Sequence, residues 1–218
     1  MPYKLSPSSL NLLKECPKCF WLQFNKGLKR PEGIFPSLPS GMDKVLKGHF
    51  DSFRDKGVLP PELRDLSDVE LFDDKKLLEE WRNNRKGIQW HDEKGNLLKG
   101  AVDNILKKGK KLIVLDYKTR GFPVKEDTPE HYQDQLDIYN LLLRKNGYET
   151  EDYSFLLFYH PTSVNENGEV VFHTDLIKMK VSVENAGRIF RHAVEVLEGE
   201  LPKSSQSCGY CKWAESIE

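Results

Sequence analysis

Asp116 and Lys118 close the segment Lys111–Lys118, KLIVLDYK, and stand two positions apart. On a strand, residues two apart point to the same face, so a carboxylate and an ammonium share one side where an apolar run ends. Thirteen residues upstream, Asp103 closes a second apolar stretch, Gly100-Ala101-Val102-Asp103. Two acids at the ends of neighbouring strands can hold Mg2+ or Mn2+, hard ions that prefer oxygen ligands. Such an ion lowers the pKa of a bound water and offsets charge on a phosphodiester. Lys118 beside it can stabilise an attacking hydroxide or a developing negative charge. The competing reading is a buried Asp–Lys ion pair. The D-x-K spacing occurs four times, at Asp73/Lys75, Asp74/Lys76, Asp92/Lys94 and Asp116/Lys118. Only the last follows four consecutive apolar residues, where burial obliges charges to find a partner or a ligand.

Other residues could join this set. His49 shares a helix face with Met42, Val45, Leu46, Phe50 and Phe53. A histidine on such a face is ordinarily a satisfied core residue, and becomes a ligand only if the face abuts the strand ends. Gln135 and Tyr139 are four apart and share a helix face with His131. Either they belong to an ordinary amphipathic helix, or they stand beside the acids and orient Lys118 or a nucleic-acid backbone. The four cysteines form two CxxC pairs, Cys16/Cys19 and Cys208/Cys211. In a reducing compartment paired CxxC elements read as a metal site before they read as disulfides. By ligand count alone, zinc and an iron–sulfur cluster fit equally. Joining them would pin the N-terminal helix to the C-terminal tail, with Tyr210 and Trp213 packed around the metal.

These side chains need a scaffold. Ser6-Pro7 starts a helix that runs to the first CxxC, where Pro17 breaks or bends it. Residues 27–41 are rich in Gly and Pro and read as loop, with a helix from near Ser40. Residues 62–86 are charged, partly helical and peripheral. Stretches 98–106 and 111–118 read as adjacent strands joined by the turn Lys107–Lys110. A helix follows from about Pro129 to Lys145, stopped by Asn146-Gly147. Tyr153–Tyr159 is apolar throughout, as a central strand is. Leu176–Val181 is a further strand, introduced by a turn at 165–168 and strand-like residues 169–173. Ser182 caps a last helix that Gly199 ends. The expected class is α/β, a mixed sheet flanked by helices.

Bulk properties bound the function. The chain has 218 residues, enough for one domain with its own core, and a formal net charge of −1. That balance argues against coating nucleic acid by bulk charge, but 33 basic residues are available for a local groove. Lys14, Lys18, Lys26, Lys29, Arg30 and Arg120 are candidates, each otherwise a solvated surface charge. Trp21 could stack on a base, although a core position suits it better. No apolar run is long enough to span a bilayer, and Met-Pro-Tyr-Lys-Leu-Ser lacks the apolar centre of a secretion signal. The expected compartment is the cytoplasm.

Taken together, His49, Gly100-x-x-Asp103, Asp116-Tyr117-Lys118-Thr119 and Gln135-x-x-x-Tyr139 resemble the PD-(D/E)XK nuclease superfamily in order and spacing. With Leu5-Ser6-Pro7-Ser8 and Cys16-Pro17-x-Cys19-Phe20, the chain looks most like the RecB-type branch with a cysteine-bound cluster. That branch includes CRISPR-adaptation exonucleases and AddB-type helicase–nucleases. The resemblance implies a restriction-endonuclease-like fold, a single nuclease domain over 1–218, and cleavage of DNA, as an exonuclease on single-stranded or frayed ends. It implies that Asp103, Asp116, the Tyr117 carbonyl and His49 ligate Mg2+ or Mn2+, that Lys118 assists the nucleophile, and that Gln135 and Tyr139 support the site. It moves the cysteine site toward [4Fe–4S], with zinc as the alternative, although the branch usually has one upstream cysteine and three downstream. Protein partners in a DNA-processing complex are a further implication. The alternatives are an RNA nuclease of the same chemistry and a non-catalytic, metal-clamped module that binds nucleic acid or protein.

Overall fold

The computed structural model describes residues 2–33 and 36–216. In chain order the elements are β1 (Lys4–Leu5), α1 (Pro7–Glu15), α2 (Pro17–Asn25), α3 (Ser37–Asp55), β2 (Glu70–Leu71), α4 (Lys75–Arg82), β3 (Ile88–His91) and β4 (Leu97–Gly100). There follow β5 (Asn104–Lys108), β6 (Lys111–Thr119), α5 (Gln133–Lys145), β7 (Tyr153–Val164), β8 (Val170–Lys180), α6 (Val183–Glu198) and α7 (Gly209–Glu215). Short 3-10 turns occupy Pro61–Leu63 and Thr128–Tyr132.

Two mixed sheets result. The larger runs β2-β5-β6-β7-β8, the smaller β1-β4-β3. β6 lies inside the larger sheet, antiparallel to β5 and parallel to β7. A parallel pair needs a crossover, and α5 provides it. Side chains of β6 alternate between two cores. Leu112 and Val114 join one with Leu136 and Leu142 of α5 and Phe190 of α6. Ile113, Leu115 and Tyr117 join the other with Leu46 and Phe50 of α3. Cover on both faces is why this strand reads as a continuous apolar run.

The segment 98–106 is two strands, not one. Leu97–Gly100 pairs with β3 and β1, whereas Asn104–Lys108 pairs with β6. Residues 101–103 cross from one sheet to the other. Val102 is fully buried there, so the apolar pattern runs on through the crossing. α3 begins at Ser37 rather than near Ser40. Pro39 stands in its first turn, where a missing N–H costs no helical bond.

Cap chemistry places the N-terminal elements. Ser6 accepts from the Ser9 N–H, and the Ser9 hydroxyl accepts from the Ser6 N–H, a reciprocal capping box ahead of Pro7. Pro17 does not merely bend the helix: it starts α2, with Cys16 at the corner between α1 and α2.

Candidate active site

The antiparallel register sets Asn104 opposite Leu115, so Asp103 stands one residue beyond β5, opposite Asp116. Asp116 faces α5, while Asp103 lies between β6 and α3. Asp103 Oδ2 accepts from the Tyr117 N–H at 3.0 Å. Lys118 Nζ lies 2.5 Å from Asp116 Oδ2, a buried ion pair. Asp116 is 1% exposed, so the Lys118 ammonium is the charge that meets that oxygen. α5 supplies the other side. Lys118 Nζ donates to Gln135 Oε1 at 3.1 Å, while Gln135 Nε2 donates to Tyr139 Oη at 2.7 Å and to Asp116 Oδ1 at 3.4 Å. Lys118 also sits over the Tyr132 ring, 4.5 Å from its centroid.

Burial sets the electrostatics. It pushes the Asp103 carboxyl up, the Asp116 charge adds to it, and the result is about 7. Burial likewise raises Asp116, with the Lys118 charge pulling the other way. Burial also works against the Lys118 ammonium, but the Asp116 carboxylate outweighs it and keeps the lysine charged. Tyr139 is pushed well above its ordinary value, first by burial and then by the Asp116 charge.

The expected set is gathered in part. Asp103, Asp116, Lys118, Gln135 and Tyr139 converge. His49 does not join them: its Nε2 lies 3.1 Å from Glu62, and its ring packs on Phe50 and Phe53. The reason is topological. α3 covers the Tyr117 face of the sheet, with Phe50 at 4.8 Å from the Tyr117 ring, whereas Asp116 and Lys118 face α5. From α3 it is Lys47 that reaches Asp103, with Nζ 3.4 Å from Asp103 Oδ1 and 2.8 Å from Asp43 Oδ2 on its own helix. The sequence signal for Lys47 is only an i,i+4 Asp–Lys pair, which is ordinarily solvated.

A buried polar network fixes the strand end from behind. Arg82 Nε donates to the Asp103 carbonyl at 2.7 Å, and its Nη1 donates to Asp51. Arg54, 7% exposed, donates to the Phe72 carbonyl and to Asn104 Oδ1, and Asn104 Nδ2 donates to Tyr117 Oη. Buried charges are tolerated only when paired in this way.

Gly100 is required by the same packing. A Cβ there would lie 2.8 Å from Tyr139 Cε1. Gly100→Ala therefore has to displace Tyr139, and Gln135 with it. Overpacking of this kind costs about 1–3 kcal/mol. Urea unfolding should register that loss, and an unchanged midpoint would contradict the close approach.

The second cluster joins the start of α2 to the start of α7. Cys16 and Cys208 each cap a helix, α2 and α7, while Cys19 and Cys211 stand in the first turns. All four are buried, and their sulfurs lie within 4.8 Å of one another. The Ser205 N–H donates to Cys16 Sγ at 3.4 Å, and Arg30 Nη2 to Cys208 Sγ at 3.6 Å. Burial opposes the Cys208 thiolate, but the Cys211 N–H and the neighbouring thiols outweigh it and bring the group down to about 6. Four thiols suit zinc and iron–sulfur chemistry alike.

Several proposed contacts have other partners. Arg30 pairs with Glu15 and stacks on Tyr210, Lys14 pairs with Asp134, and Lys18 pairs with Glu215. Trp21 Nε1 donates to the Gly199 carbonyl at 3.0 Å. Trp213 does not pack around the cysteines; it is 65% exposed.

Two mixed sheets flanked by helices, with acids and a lysine at neighbouring strand ends, have the restriction-endonuclease-like architecture of nuclease domains. The sequence matches the PD-(D/E)XK nuclease superfamily over residues 4–216, and the chain belongs to that superfamily. Among solved structures it is similar to the crystal structure of SSO0001, at 15% identity and a TM-score of 0.44, over 90% of this chain and 77% of that one. No curated protein matches it significantly. No described helix is long and apolar enough to cross a membrane.

Proposed function

We propose that the chain is a metal-dependent nuclease domain of the RecB-type branch that hydrolyses DNA phosphodiesters, as an exonuclease on single-stranded or frayed ends. The observation that carries this reading is the convergence of Asp103, Asp116 and Lys118 beside Gln135 and Tyr139 at one strand end. Superfamily membership supports nuclease chemistry. The preference for DNA with free ends rests on the resemblance of the motifs to that branch.

The donor set fits a hard divalent cation, because two carboxylates at neighbouring strand ends offer oxygen ligands, with a buried Asp116 oxygen facing only the Lys118 ammonium. Asp103 and Asp116 would hold Mg2+ or Mn2+, with the Tyr117 carbonyl beside them. His49, paired with Glu62, is the weakest member of the proposed ligand set. When bound, the ion lowers the pKa of a water and offsets charge on the scissile phosphate. Lys118, held charged by Asp116 and aimed by Gln135, stabilises negative charge near the reacting oxygen. Tyr139 fixes Gln135 through its hydroxyl. Arg82 positions Asp103 by holding its carbonyl. Four free, buried thiols fit a reducing compartment, the cytoplasm.

A cleavage panel tests this proposal. It uses single-stranded DNA, blunt, frayed and circular duplexes, and RNA, each with Mg2+, Mn2+ or a chelator. The expected result is chelator-sensitive cleavage, fastest on linear single strands and slow on circles, and lost in Lys118→Ala. Cleavage confined to RNA would replace the substrate. Binding without cleavage by wild type, equalled by Lys118→Ala, would overturn the enzyme in favour of a binding module.

A further inference from the structure

The spacing of the four cysteine sulfurs distinguishes between two cofactors that their number does not. Cys19 Sγ lies 3.6 Å from Cys211 Sγ and 3.7 Å from Cys208 Sγ, and Cys16 Sγ lies 3.8 Å from Cys211 Sγ. All four fall within 4.8 Å of one another. Four thiolates around one tetrahedral zinc, each at ~2.3 Å, form a tetrahedron with edges of ~3.8 Å. In a [4Fe–4S] cube each cysteine binds a different iron at a separate corner, which drives the sulfurs to roughly 6 Å apart. The cysteines as placed here are too close for the cube and match the single ion. From this geometry we propose that the site holds one tetrahedral Zn2+, bound by Cys16, Cys19, Cys208 and Cys211.

The surroundings agree with a small closed centre. Each CxxC offers one cysteine at a helix cap and one in the first turn, so the two pairs approach as equivalent halves. Cys16 has no exposure at all, and Cys208 and Cys211 have 5% and 7%. Making room for a cube would require the edges of 3.6, 3.7 and 3.8 Å each to lengthen by roughly 2 Å in this buried junction. Zinc also binds a given donor set more tightly than ferrous iron does. With no accessible redox change, the ion acts as a static clamp between the α1–α2 corner and the tail. This inference is independent of the nuclease reading, because none of the four cysteines touches Asp103, Asp116 or Lys118.

Metal analysis of the full chain tests it. The protein should be purified with and without oxygen from cells supplied with both iron and zinc. The expected result in both cases is one zinc per chain, no acid-labile sulfide and no absorbance near about 400 nm. Asp116→Asn should retain that zinc, which separates this site from the acidic one. Cobalt loaded into stripped protein should give the intense visible bands of a tetrahedral thiolate site, and one equivalent of zinc should erase them. X-ray absorption at the zinc edge should show a single sulfur shell at ~2.3 Å. Four irons with matching sulfide in the anaerobic protein would overturn the proposal. One iron without sulfide, or zinc lost in Asp116→Asn, would overturn it too.

Discussion

Replacing Asp116 by Asn should lower cleavage by about 10^3-fold or more and, in the metal-free protein, lessen the loss of stability as pH rises toward neutrality. Both outcomes follow from one fact: a carboxylate 1% exposed faces a second acid with only Lys118 and Gln135 to satisfy it. An interaction made in the transition state with a metal-activated nucleophile has effects of this size when removed. The weaker pH dependence follows from proton linkage. Asp103 is raised to about 7 by burial and by the Asp116 charge. A carboxyl whose folded pKa lies above its unfolded value favours folding while protonated. That contribution is fully present below the unfolded value of about 4 and is lost as pH rises through about 7. Across that window the metal-free wild type should lose stability relative to Asp116→Asn, by an amount on the order of a few kcal/mol. Asn removes the charge beside Asp103 and also the counter-charge of Lys118, so the difference lies in the pH slope and not in an absolute gain. Urea unfolding in chelator between pH 4.5 and 7.5 reads the difference between the two proteins. Mg2+ or Mn2+ should raise the melting temperature of wild type at pH 7.5 and leave the variant unmoved. An equal metal-induced shift in both proteins would show that the ion binds elsewhere.

How much of this site is legible in the sequence depends on how local its signals are. β6 is legible because four apolar residues ending in a charged triplet suit the end of a buried strand and little else. α6 is legible from Ser182 and Gly199, which do cap and end it. Gln135 and Tyr139 are legible because helix spacing fixes their common face. The stretch 98–106 misleads because an apolar pattern does not report which sheet a strand pairs with. Only the pairing of Leu97–Gly100 with β3, and of Asn104–Lys108 with β6, reveals the crossing at 101–103. β1 and β2 are two residues long, too short for any periodicity. His49 illustrates the same limit at the site. Its helix face is apolar, as its spacing predicts, but the face packs against Tyr117 rather than against the acids. Its partner Glu62 comes from a 3-10 turn that charge composition does not mark. Arg54, Arg82 and Asn104 look like solvated polar residues until distant elements bring them together.

The cysteine clamp carries the second large effect. Cys208→Ser, or removal of the metal, should lower the melting temperature by roughly 10–20 °C. The chain between Cys19 and Cys208 is roughly 190 residues, and cross-linking a loop of that length is worth about 5 kcal/mol in the chain-entropy picture. That is a large share of the roughly 5–15 kcal/mol by which a domain is stable. The loss should begin locally. α1 and α2 have other anchors: β1 pairs with β4, and Tyr3 and Asn25 donate to the Leu197 carbonyl. α7 has few, since Tyr210 and Trp213 are 46% and 65% exposed. Without the metal, the segment from Gly199 to Cys208 should therefore become the first site of limited proteolysis. β6, held by cores on both faces, and α5, packed into one of them, should resist. Because Asp103 adjoins β5 and Asp116 stands on β6, cleavage measured well below the new melting temperature should persist. A variant that loses the metal yet keeps its melting temperature and its protease resistance would rule out the clamp, leaving the cysteines without a structural role.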